Sequence, residues 1–348
     1  MIQRKTLFIY LPLIIFIGVL LGACSVIQKS DLDVGKEALN SGNYQSAIDH
    51  FTAALEKDPQ NAQIYIERGN AFFQLKSFDQ ALEDYQKGLS IDPKQSSAYN
   101  GLGSIYKSQG DLQNALKAFN QAIEIDEQNA IAFYNRGTIY AEQNNLNAAI
   151  DDFSKALKID DHIPMAYYNR GLAYLSLGKT EDTIADLSIA ILLDENLIDA
   201  YFYRGVAYMK GGHLNLALED FTKVIEKQTD NVKAYLNRAN VYSQTQKYDK
   251  AIEDTRKAIS LDPGNASAYY LLGNIHYYSK QYKDAVLAYN MALGLDPNYA
   301  PAFLNRGIAY SELKMYKEAK KDLEYYLQLE PDSDNKAYVE TLLNDLEK

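Results

Sequence analysis

The chain is poor in the residues that build covalent links, metal centres and catalytic sites. Its 348 residues include one cysteine, Cys24, and no tryptophan. A single cysteine excludes a disulfide within the chain. The histidines lie far apart, and none has the spacing of a metal-binding motif such as His-Glu-x-x-His; they are His50, His162, His213 and His276. We therefore expect no metal site and no cofactor.

Sequence motifs for catalysis are missing as well. The chain has no Gly-rich phosphate loop, no Gly-x-Ser-x-Gly nucleophile elbow and no free cysteine placed for nucleophilic attack. Its many Asp and Glu residues occupy positions typical of solvated helix faces, which is the ordinary role of charge on a helix. This pattern argues against an enzyme.

Positive charge is in deficit. Lysine and arginine together number 35, against 46 aspartates and glutamates, which gives a formal net charge of −11. Binding to nucleic acid depends on clustered cations that contact phosphates, so we expect no nucleic-acid partner. Tyrosine, in contrast, is abundant with 29 residues, and its position in the chain must decide whether it serves packing or recognition.

The dominant feature that is present is a 34-residue unit, repeated nine times in register without an insertion or deletion over residues 28–333. Position 8 is small in every unit, and position 20 is alanine in all units except the fifth, which has Thr183. Self-similarity at a fixed period predicts a solenoid whose repeats bury their apolar faces on their neighbours. An array this strict leaves no space for a catalytic domain. The units are 28–61, 62–95, 96–129, 130–163, 164–197, 198–231, 232–265, 266–299 and 300–333.

Each unit has the pattern of two amphipathic helices. In the fourth unit, apolar or small residues recur at helical spacing, at Phe133 and Gly137 in the first half and at Ala149 and Phe153 in the second. The Asn-Asn pair between the halves is a turn signal. We expect the small residue at position 8 to let the two helices approach closely and an aromatic residue at position 24 to fill the gap. That aromatic residue is Phe51, Tyr85, Phe119, Phe153, Phe221 or Tyr289 in six units.

This combination resembles the tetratricopeptide repeat (TPR) family over residues 28–333. The family pattern has a small residue at position 8, an aromatic at 11, alanine at 20, an aromatic at 24, a small residue at 27 and proline at 32. The resemblance implies an all-α fold, an α-solenoid superhelix of nine helix-turn-helix units. Units three to six lack the proline at position 32, so we expect the turns between those units to be looser.

Both ends of the array have features of solenoid caps. Ser30, with Asp33 three residues later, resembles a capping box that begins the first helix. Past the last unit, residues 334–348 predict one more helix, a C-terminal capping helix. Its expected apolar stripe is Tyr338, Leu342 and Leu346.

The N-terminal segment carries a second signal. Arg4 and Lys5 precede an apolar run over residues 7–20, and the sequence Leu-Gly-Ala then leads directly to Cys24. This resembles a bacterial lipoprotein signal peptide with its lipobox. The resemblance implies that residues 1–23 are removed, that Cys24 carries the acyl chains, and that residues 24–30 form a lipidated tether to a membrane.

An uncleaved transmembrane helix over residues 6–23 is the alternative, and its 18 residues are at the short end for spanning a bilayer. In lipoproteins of Gram-negative bacteria, an aspartate after the lipidated cysteine usually signals retention in the inner membrane, whereas this chain has Ser25. The resemblance therefore implies a location in the cell envelope, at the outer membrane and facing the periplasm if the source is Gram-negative.

Unit positions 7 and 23 change together. Arginine at position 7 accompanies aspartate at position 23 in six units, whereas units three and eight have leucine with alanine and unit one has valine with histidine. Pairing between neighbouring units fails, because Asp84 would then face Leu102. The alternative is that both positions are simply exposed and polar. We predict structural ion pairs within six units: Arg68–Asp84, Arg136–Asp152, Arg170–Asp186, Arg204–Asp220, Arg238–Asp254 and Arg306–Asp322.

A TPR array coils so that its first helices line a concave surface, and unit positions 2, 5, 6, 9, 12 and 13 tend to face that groove in the family. Position 5 is apolar or aromatic in most units here. Exposed apolar patches usually mark a binding site, and tyrosine is favoured at interfaces. The alternative is that several of these side chains complete the packing of the helices. We predict that a protein or an extended peptide binds this face at residues that include Tyr134, Tyr168, Phe202, Met209 and Tyr270.

Asparagine recurs on the same face, although it is a mediocre helix former. A ladder of carboxamides can donate hydrogen bonds to the backbone of an extended peptide and accept them from it, as in some peptide-binding TPR superhelices. The alternative is that these asparagines have no ligand and belong to a common bacterial variant of the repeat. The predicted ladder residues are Asn135, Asn169, Asn237, Asn240 and Asn274.

Together the resemblances imply a membrane-anchored adaptor or scaffold of the bacterial cell envelope, held by lipid on Cys24 and binding a partner polypeptide in the concave groove. Tethering of this kind raises the local concentration of partners. The first alternative is a pilotin-like assembly chaperone for a pilus or secretion pore, whose TPR arrays tend to be shorter. The second is an envelope hydrolase, which would require activity from the purified protein.

Overall fold

A computed structural model describes residues 29–346, and every regular element in that range is an α-helix. The lipidation site predicted at Cys24 and the signal peptide predicted over residues 1–23 lie outside the described residues. The chain divides into two compact units, Met1–Pro93 and Lys94–Lys348. None of the helices between residues 29 and 346 combines the length and the hydrophobicity that a bilayer-spanning segment requires.

The described part of the first compact unit contains two helix pairs. Its helices are α1 (Asp31–Asn40), α2 (Tyr44–Lys57), α3 (Ala62–Gln74) and α4 (Phe78–Ile91). The predicted cap begins α1, because the hydroxyl of Ser30 accepts a hydrogen bond from the backbone N–H of Asp33 at 3.1 Å. Part of the core forms where α2 packs between α1 and α3, around Ile48, Phe51 and Ile64.

The second compact unit contains seven helix pairs and a final single helix. Consecutive helices of this unit pack on each other, so this part of the chain grows by adding neighbours and is an all-α solenoid, as predicted. Counted with the two pairs of the first unit, the described residues contain nine helix pairs and a C-terminal helix. The helices are α5 (Ser96–Ser108), α6 (Leu112–Ile125), α7 (Ala130–Glu142), α8 (Leu146–Ile159), α9 (Pro164–Ser176), α10 (Thr180–Leu193), α11 (Ile198–Lys210), α12 (Leu214–Lys227), α13 (Val232–Gln244), α14 (Tyr248–Leu261), α15 (Ala266–Tyr278), α16 (Tyr282–Leu295), α17 (Ala300–Glu312), α18 (Tyr316–Leu329) and α19 (Lys336–Leu346).

The turn within each repeat forms at position 15, where the backbone φ is positive. Four repeats have glycine there, as at Gly110 with φ of 80°. In the third repeat, the N–H of Asp111 donates to the carbonyl of Tyr106 at 2.9 Å, which closes the end of α5. The other five repeats use residues with longer side chains in the same left-handed conformation, at Lys76, Asn144, Gln246, Lys280 and Lys314.

The turns between repeats keep a backbone hydrogen bond in three of the four repeats that lack proline. The N–H of Asn129 donates to the carbonyl of Asp126 at 3.1 Å and that of Leu197 donates to Asp194 at 3.2 Å, as in the proline-containing turns. The looser turns expected there are therefore not seen in these repeats. The carboxylate of Asp126 also accepts the N–H of Gln128 at 2.9 Å, and Asp296 makes the same kind of bond in a turn that contains proline.

The two helices of a repeat approach most closely where position 8 faces position 24. A Cβ placed on Gly273 would overlap a ring atom of Tyr289, and one on Gly35 would lie 2.6 Å from the ring of Phe51. Both rings are fully buried. The expectation that a small residue allows the approach and an aromatic ring fills the gap is therefore confirmed for these repeats.

The last helix, α19, packs against α18 at the end of the array. Val339 is buried, and Leu342 and Leu346 pack around the buried ring of Tyr326. Tyr338, which was expected in this apolar stripe, is instead 52% exposed. The buried stripe is centred on Val339, and the ring of Tyr338 lies beside it and lines a cavity with residues of α15 and α17.

Replacement of a position-8 glycine tests the close approach. Gly273→Ala should lower the free energy of unfolding by about 1–3 kcal/mol, because the added methyl group overpacks a buried contact. Urea denaturation of the full-length protein, followed by circular dichroism, measures this loss.

Gly294→Ala is the matched control, since Gly294 lies in α16 with no neighbouring atom within 4 Å of an added Cβ. Alanine there should leave stability unchanged or slightly raised, because it is the better helix former. Equal effects of the two substitutions would contradict the role assigned to position 8.

Candidate protein-binding groove

The first helices form one face of the second compact unit. Each first helix from α5 to α15 contacts the first helix of the next repeat, in addition to its own second helix. Among the described residues, the second helices of successive repeats do not share packing of this kind. The first helices therefore lie closer together and line the inner side of this solenoid, and we call the surface of α5, α7, α9, α11, α13, α15 and α17 the inner face.

All the groove residues predicted from the sequence lie on helices of the inner face, and all of them are partly buried rather than fully exposed. They are Tyr134, Asn135, Tyr168, Asn169, Phe202, Met209, Asn237, Asn240, Tyr270 and Asn274. Partial burial means that their contacts within the chain decide what remains available to a ligand.

The aromatic residues at position 5 pack against the ring at position 24 of the same repeat. The distances between ring centroids are 6.0 Å for Tyr134–Phe153, 5.9 Å for Phe202–Phe221 and 6.0 Å for Tyr270–Tyr289. Tyr168 lacks such a partner, because its repeat has leucine at position 24, and it contacts Tyr203 at 6.3 Å instead. Position 5 thus contributes to helix packing, which was the alternative considered for these residues.

The asparagines at position 6 tie successive repeats together. The amide of Asn135 donates to the side-chain oxygen of Asn100 at 3.0 Å, and that of Asn169 donates to the hydroxyl of Tyr134 at 3.3 Å. Asn237 is different, since it donates to the carbonyl of Lys233 in its own helix. Each of these internal bonds uses one of the two N–H donors that the asparagine was expected to offer a bound peptide.

Asn274 at position 9 keeps a donor available. Its side-chain oxygen accepts the hydroxyl of Tyr289 at 2.8 Å and the amide of Asn305 at 2.9 Å. Its own NH₂ group takes part in neither bond but forms a hydrogen bond with the hydroxyl of Tyr270. Asn274 lines two adjoining cavities on the inner face. Because an NH₂ group has two N–H bonds, the second can still donate to a ligand.

One of the most open side chains of the inner face, Tyr278, was not among the predicted site residues. Tyr278 at position 13 is 63% exposed, and Met165 at position 2 is 38% exposed. Tyr278 and Asn240 line a cavity of about 400 Å³. A second cavity of about 200 Å³ lies beside it and includes Tyr338 of α19. Position 13 was among the groove positions, so the tyrosine there was a signal that the sequence offered.

The structure brings together both residues of all six predicted ion pairs. In each pair the arginine Nε and Nη2 donate to the two carboxylate oxygens of the aspartate at 2.6–2.9 Å. The aspartates are only 3–5% exposed. This bidentate geometry joins the first and second helices of the same repeat. The pairs are Arg68–Asp84, Arg136–Asp152, Arg170–Asp186, Arg204–Asp220, Arg238–Asp254 and Arg306–Asp322.

Each of these arginines also reaches the preceding repeat, which the sequence analysis missed. The Nη1 of Arg170 donates to the hydroxyl of Ser154 at 2.9 Å, and that of Arg136 donates to the side-chain oxygen of Asn120 at 2.6 Å. The guanidinium of Arg170 lies 5.6 Å from the ring centroid of Tyr167 and 6.0 Å from that of Tyr174. The arginine–aspartate pair therefore connects the two helices of its own repeat and also links that repeat to the preceding one.

Burial works against the ion pairs even though the geometry is good. Hydrogen bonds to Asp186 raise the pKa of Arg170, which favours its charged form. Loss of hydration, however, raises the pKa of Asp84 and Asp220 despite their arginine partners, because the aspartates are more deeply buried than the arginines. Pairing and dehydration thus offset each other.

One cluster of possible metal ligands occurs among residues 29–346. Asp160, Asp161 and His162 lie close together in the loop between α8 and α9, and all three are exposed. The imidazole of His162 lies 2.6 Å from a carboxylate oxygen of Asp161. No buried donor joins them, so the cluster is an ordinary solvated loop rather than a candidate metal centre.

Comparison with known families covers most of the described chain. Models described as tetratricopeptide repeat or TPR repeat match residues 32–98, 84–117, 103–143, 137–178, 166–197, 199–230, 232–265 and 272–344. No curated protein matches the chain.

Several solved structures are similar. YrrB, described as a TPR protein with an unusual peptide-binding site, is 27% identical with a TM-score of 0.52, over 54% of this chain and 96% of its own. A tetratricopeptide repeat protein from Parabacteroides merdae is 20% identical with a TM-score of 0.53, over 73% of this chain and 99% of its own. The Cut9–Hcn1 hetero-tetramer of the APC/C gives 20% identity and a TM-score of 0.52, over 87% of this chain and 59% of the other. The last two support the fold alone.

A solenoid of helix pairs with an open inner face is the architecture of a protein–protein interaction scaffold. The chain belongs to the tetratricopeptide repeat family, whose members are interaction scaffolds that typically have no catalytic activity.

A double-mutant cycle measures the ion pair of the fifth repeat. Arg170→Leu and Asp186→Ala should each lower the free energy of unfolding by about 3–5 kcal/mol, because each leaves a buried charge without its partner. The double variant should be nearly neutral, since the third repeat already holds Leu102 and Ala118 buried at the same positions. Chemical denaturation of the full-length protein gives all three values. Losses that simply add in the double variant would show that the two residues do not act as a pair.

Proposed function

We propose that the protein is a membrane-anchored adaptor of the bacterial cell envelope. It binds a partner polypeptide on the inner face of its second compact unit, and a lipid on Cys24 holds it at a membrane. The mechanism is recruitment, since a tethered binding site raises the local concentration of its partners without any chemical step.

The exposed apolar side chains and the cavities of the inner face are the observation that supports the binding part of this proposal. Tyr278 and Met165 expose apolar surface to solvent, and two adjoining cavities open on the inner face of the last repeats. Beside them, the amide of Asn274 forms a hydrogen bond with the hydroxyl of Tyr270 and keeps a second N–H for a ligand. Apolar surface with a few fixed polar groups suits an extended peptide, whose backbone carbonyls need donors.

The similarity to YrrB supports the same assignment. YrrB is a TPR protein with an unusual peptide-binding site, and the similarity extends over nearly all of its length. We infer that peptide binding on a TPR surface is also the activity of this chain.

The anchoring part of the proposal rests on the sequence around Cys24. A charged start, an apolar run and Leu-Gly-Ala before the only cysteine match a lipoprotein signal. Two or three acyl chains would hold the protein firmly, because each buried methylene contributes about 0.8 kcal/mol. With Ser25 after the cysteine, the outer membrane is the proposed location if the source is Gram-negative.

Site-specific photocrosslinking in cells tests where the partner binds. A benzophenone amino acid placed at Met165 or Tyr278 should give a crosslinked adduct of higher mass, detected by immunoblotting and identified by mass spectrometry. The same amino acid at Leu192 or Leu287, which are 83% and 62% exposed on second helices, is the matched control. Adducts of equal yield from both faces, or only from the control positions, would place the partner elsewhere.

Metabolic labelling with a fatty acid tests the anchor separately. The wild-type protein should incorporate label and sediment with membranes, whereas Cys24→Ala should incorporate none, because no other cysteine exists to form a thioether. Label that persists in the Cys24→Ala variant would contradict lipidation at this residue.

A further inference from the structure

Tyrosine rings form the cavity at the C-terminal end of the inner face. The ring planes of Tyr277 and Tyr278 are inclined at 77° with their centroids 5.8 Å apart, so the two rings form adjacent walls of the cavity. Tyr338 of α19 provides the third ring of the lining. Tyr278 and Tyr338 are more than half exposed, so these rings are not occupied in packing. At about 200 Å³, the cavity is smaller than a typical small-molecule site and suits one amino-acid side chain.

The surroundings of this cavity favour a positive charge. None of the described residues that line it is a lysine or an arginine. Arg306, on the neighbouring α17, is already held by Asp322 and Asn290. Glu312, at the end of α17, lies close enough to affect Tyr277: burial first, and then the charge of Glu312, raise the pKa of the tyrosine hydroxyl.

An ion pair in another part of the chain indicates which type of residue would pair with Glu312. In the third and fourth repeats, Lys107 at position 12 forms an ion pair of 3.0 Å with Glu142 at position 13 of the following repeat. In the eighth and ninth repeats, the same two positions hold Tyr277 and Glu312. Glu312 therefore occupies the same repeat position as Glu142, but the lysine that pairs with Glu142 is replaced by a tyrosine. Glu312 makes no ion pair with any residue in the described part of the chain.

We propose that this cavity receives a lysine or arginine side chain of the polypeptide bound on the inner face, with its cation over the rings of Tyr277, Tyr278 and Tyr338 and facing Glu312. This inference rests on the proposed function and names the side chain that the groove selects. A cation is attracted to the face of a tyrosine ring, and three rings at an angle present more than one face. Glu312 supplies the counter-charge that Glu142 supplies to Lys107.

The polar groups beside the cavity are consistent with this occupant. Asn274 offers the second N–H of its amide to a backbone carbonyl, which would align the peptide along α15 while one side chain enters the cavity. A carboxylate side chain is disfavoured by Glu312 and by the ring faces. The net charge of −11 on the whole chain also attracts a basic segment during encounter.

A positional-scanning library of acetylated and amidated decapeptides tests the proposal with the full-length protein. Lysine and arginine should be enriched at one position. In a fluorescent peptide from that library, replacing the selected lysine by acetyl-lysine or norleucine should weaken binding about fivefold or more, as expected for a cation on aromatic rings. Acetyl-lysine retains the length of the side chain but removes its charge, so the comparison isolates the cation.

Variants of exposed residues then assign the preference to this cavity. Glu312→Gln and Tyr338→Ala should reduce the ratio of the two affinities to near one, while thermal unfolding by circular dichroism stays unchanged. Glu142→Gln is the matched control and should leave the ratio intact, because its partner Lys107 lies in another repeat.

Three results would overturn the inference. Binding of peptides with no preference for lysine or arginine at any position would refute the cation site but leave the groove intact. A preference that survives both Glu312→Gln and Tyr338→Ala would place the cation elsewhere. Absence of binding by every peptide would overturn both this inference and the proposed function.

Discussion

In the eighth repeat, Gly273 brings the backbone of α15 against the buried ring of Tyr289, and in the first repeat Gly35 does the same against Phe51. This contact sets the distance and the rotation between the two helices of a repeat, because a ring in a packed core has no room to shift. Position 5 rests on the same ring in three repeats. Position 7 reaches position 23 in six repeats, including the fifth and ninth, where Leu187 and Leu323 replace the ring against the glycine.

The arginine–aspartate pairs form between helices that pack in this way, but a repeat can pack in the same way without such a pair. Arg170 holds Asp186 in its own repeat and Ser154 in the preceding one, yet two repeats replace the pair by leucine and alanine. Removing a buried charge together with its partner avoids the cost of leaving one of them unpaired. This accounts for the joint change of the two positions and suggests that the pair contributes alignment between repeats rather than net stability.

Most aromatic and amide groups of the inner face are used by the solenoid itself. Phe202 packs on Phe221, and Asn169 is bound to Tyr134. What remains for a partner is concentrated toward the last repeats, where Tyr278 is open and α19 adds Tyr338 from outside the array. A helix that caps the core therefore also completes a cavity, and the proposed adaptor function is connected with the way the array ends.

From the sequence alone, the 34-residue period determined the helix pairs, the close approach at position 8 and the choice of partners for the six arginines. These features follow from contacts that recur from repeat to repeat, so they are visible in the sequence as residues spaced 34 apart. Only the tertiary structure decided which groove residues stay available, because Asn135 and Tyr270 are occupied by residues of other helices. It also decided that Tyr338 leaves the buried stripe and lines a cavity built from four helices, because that packing occurs once and leaves no period in the sequence.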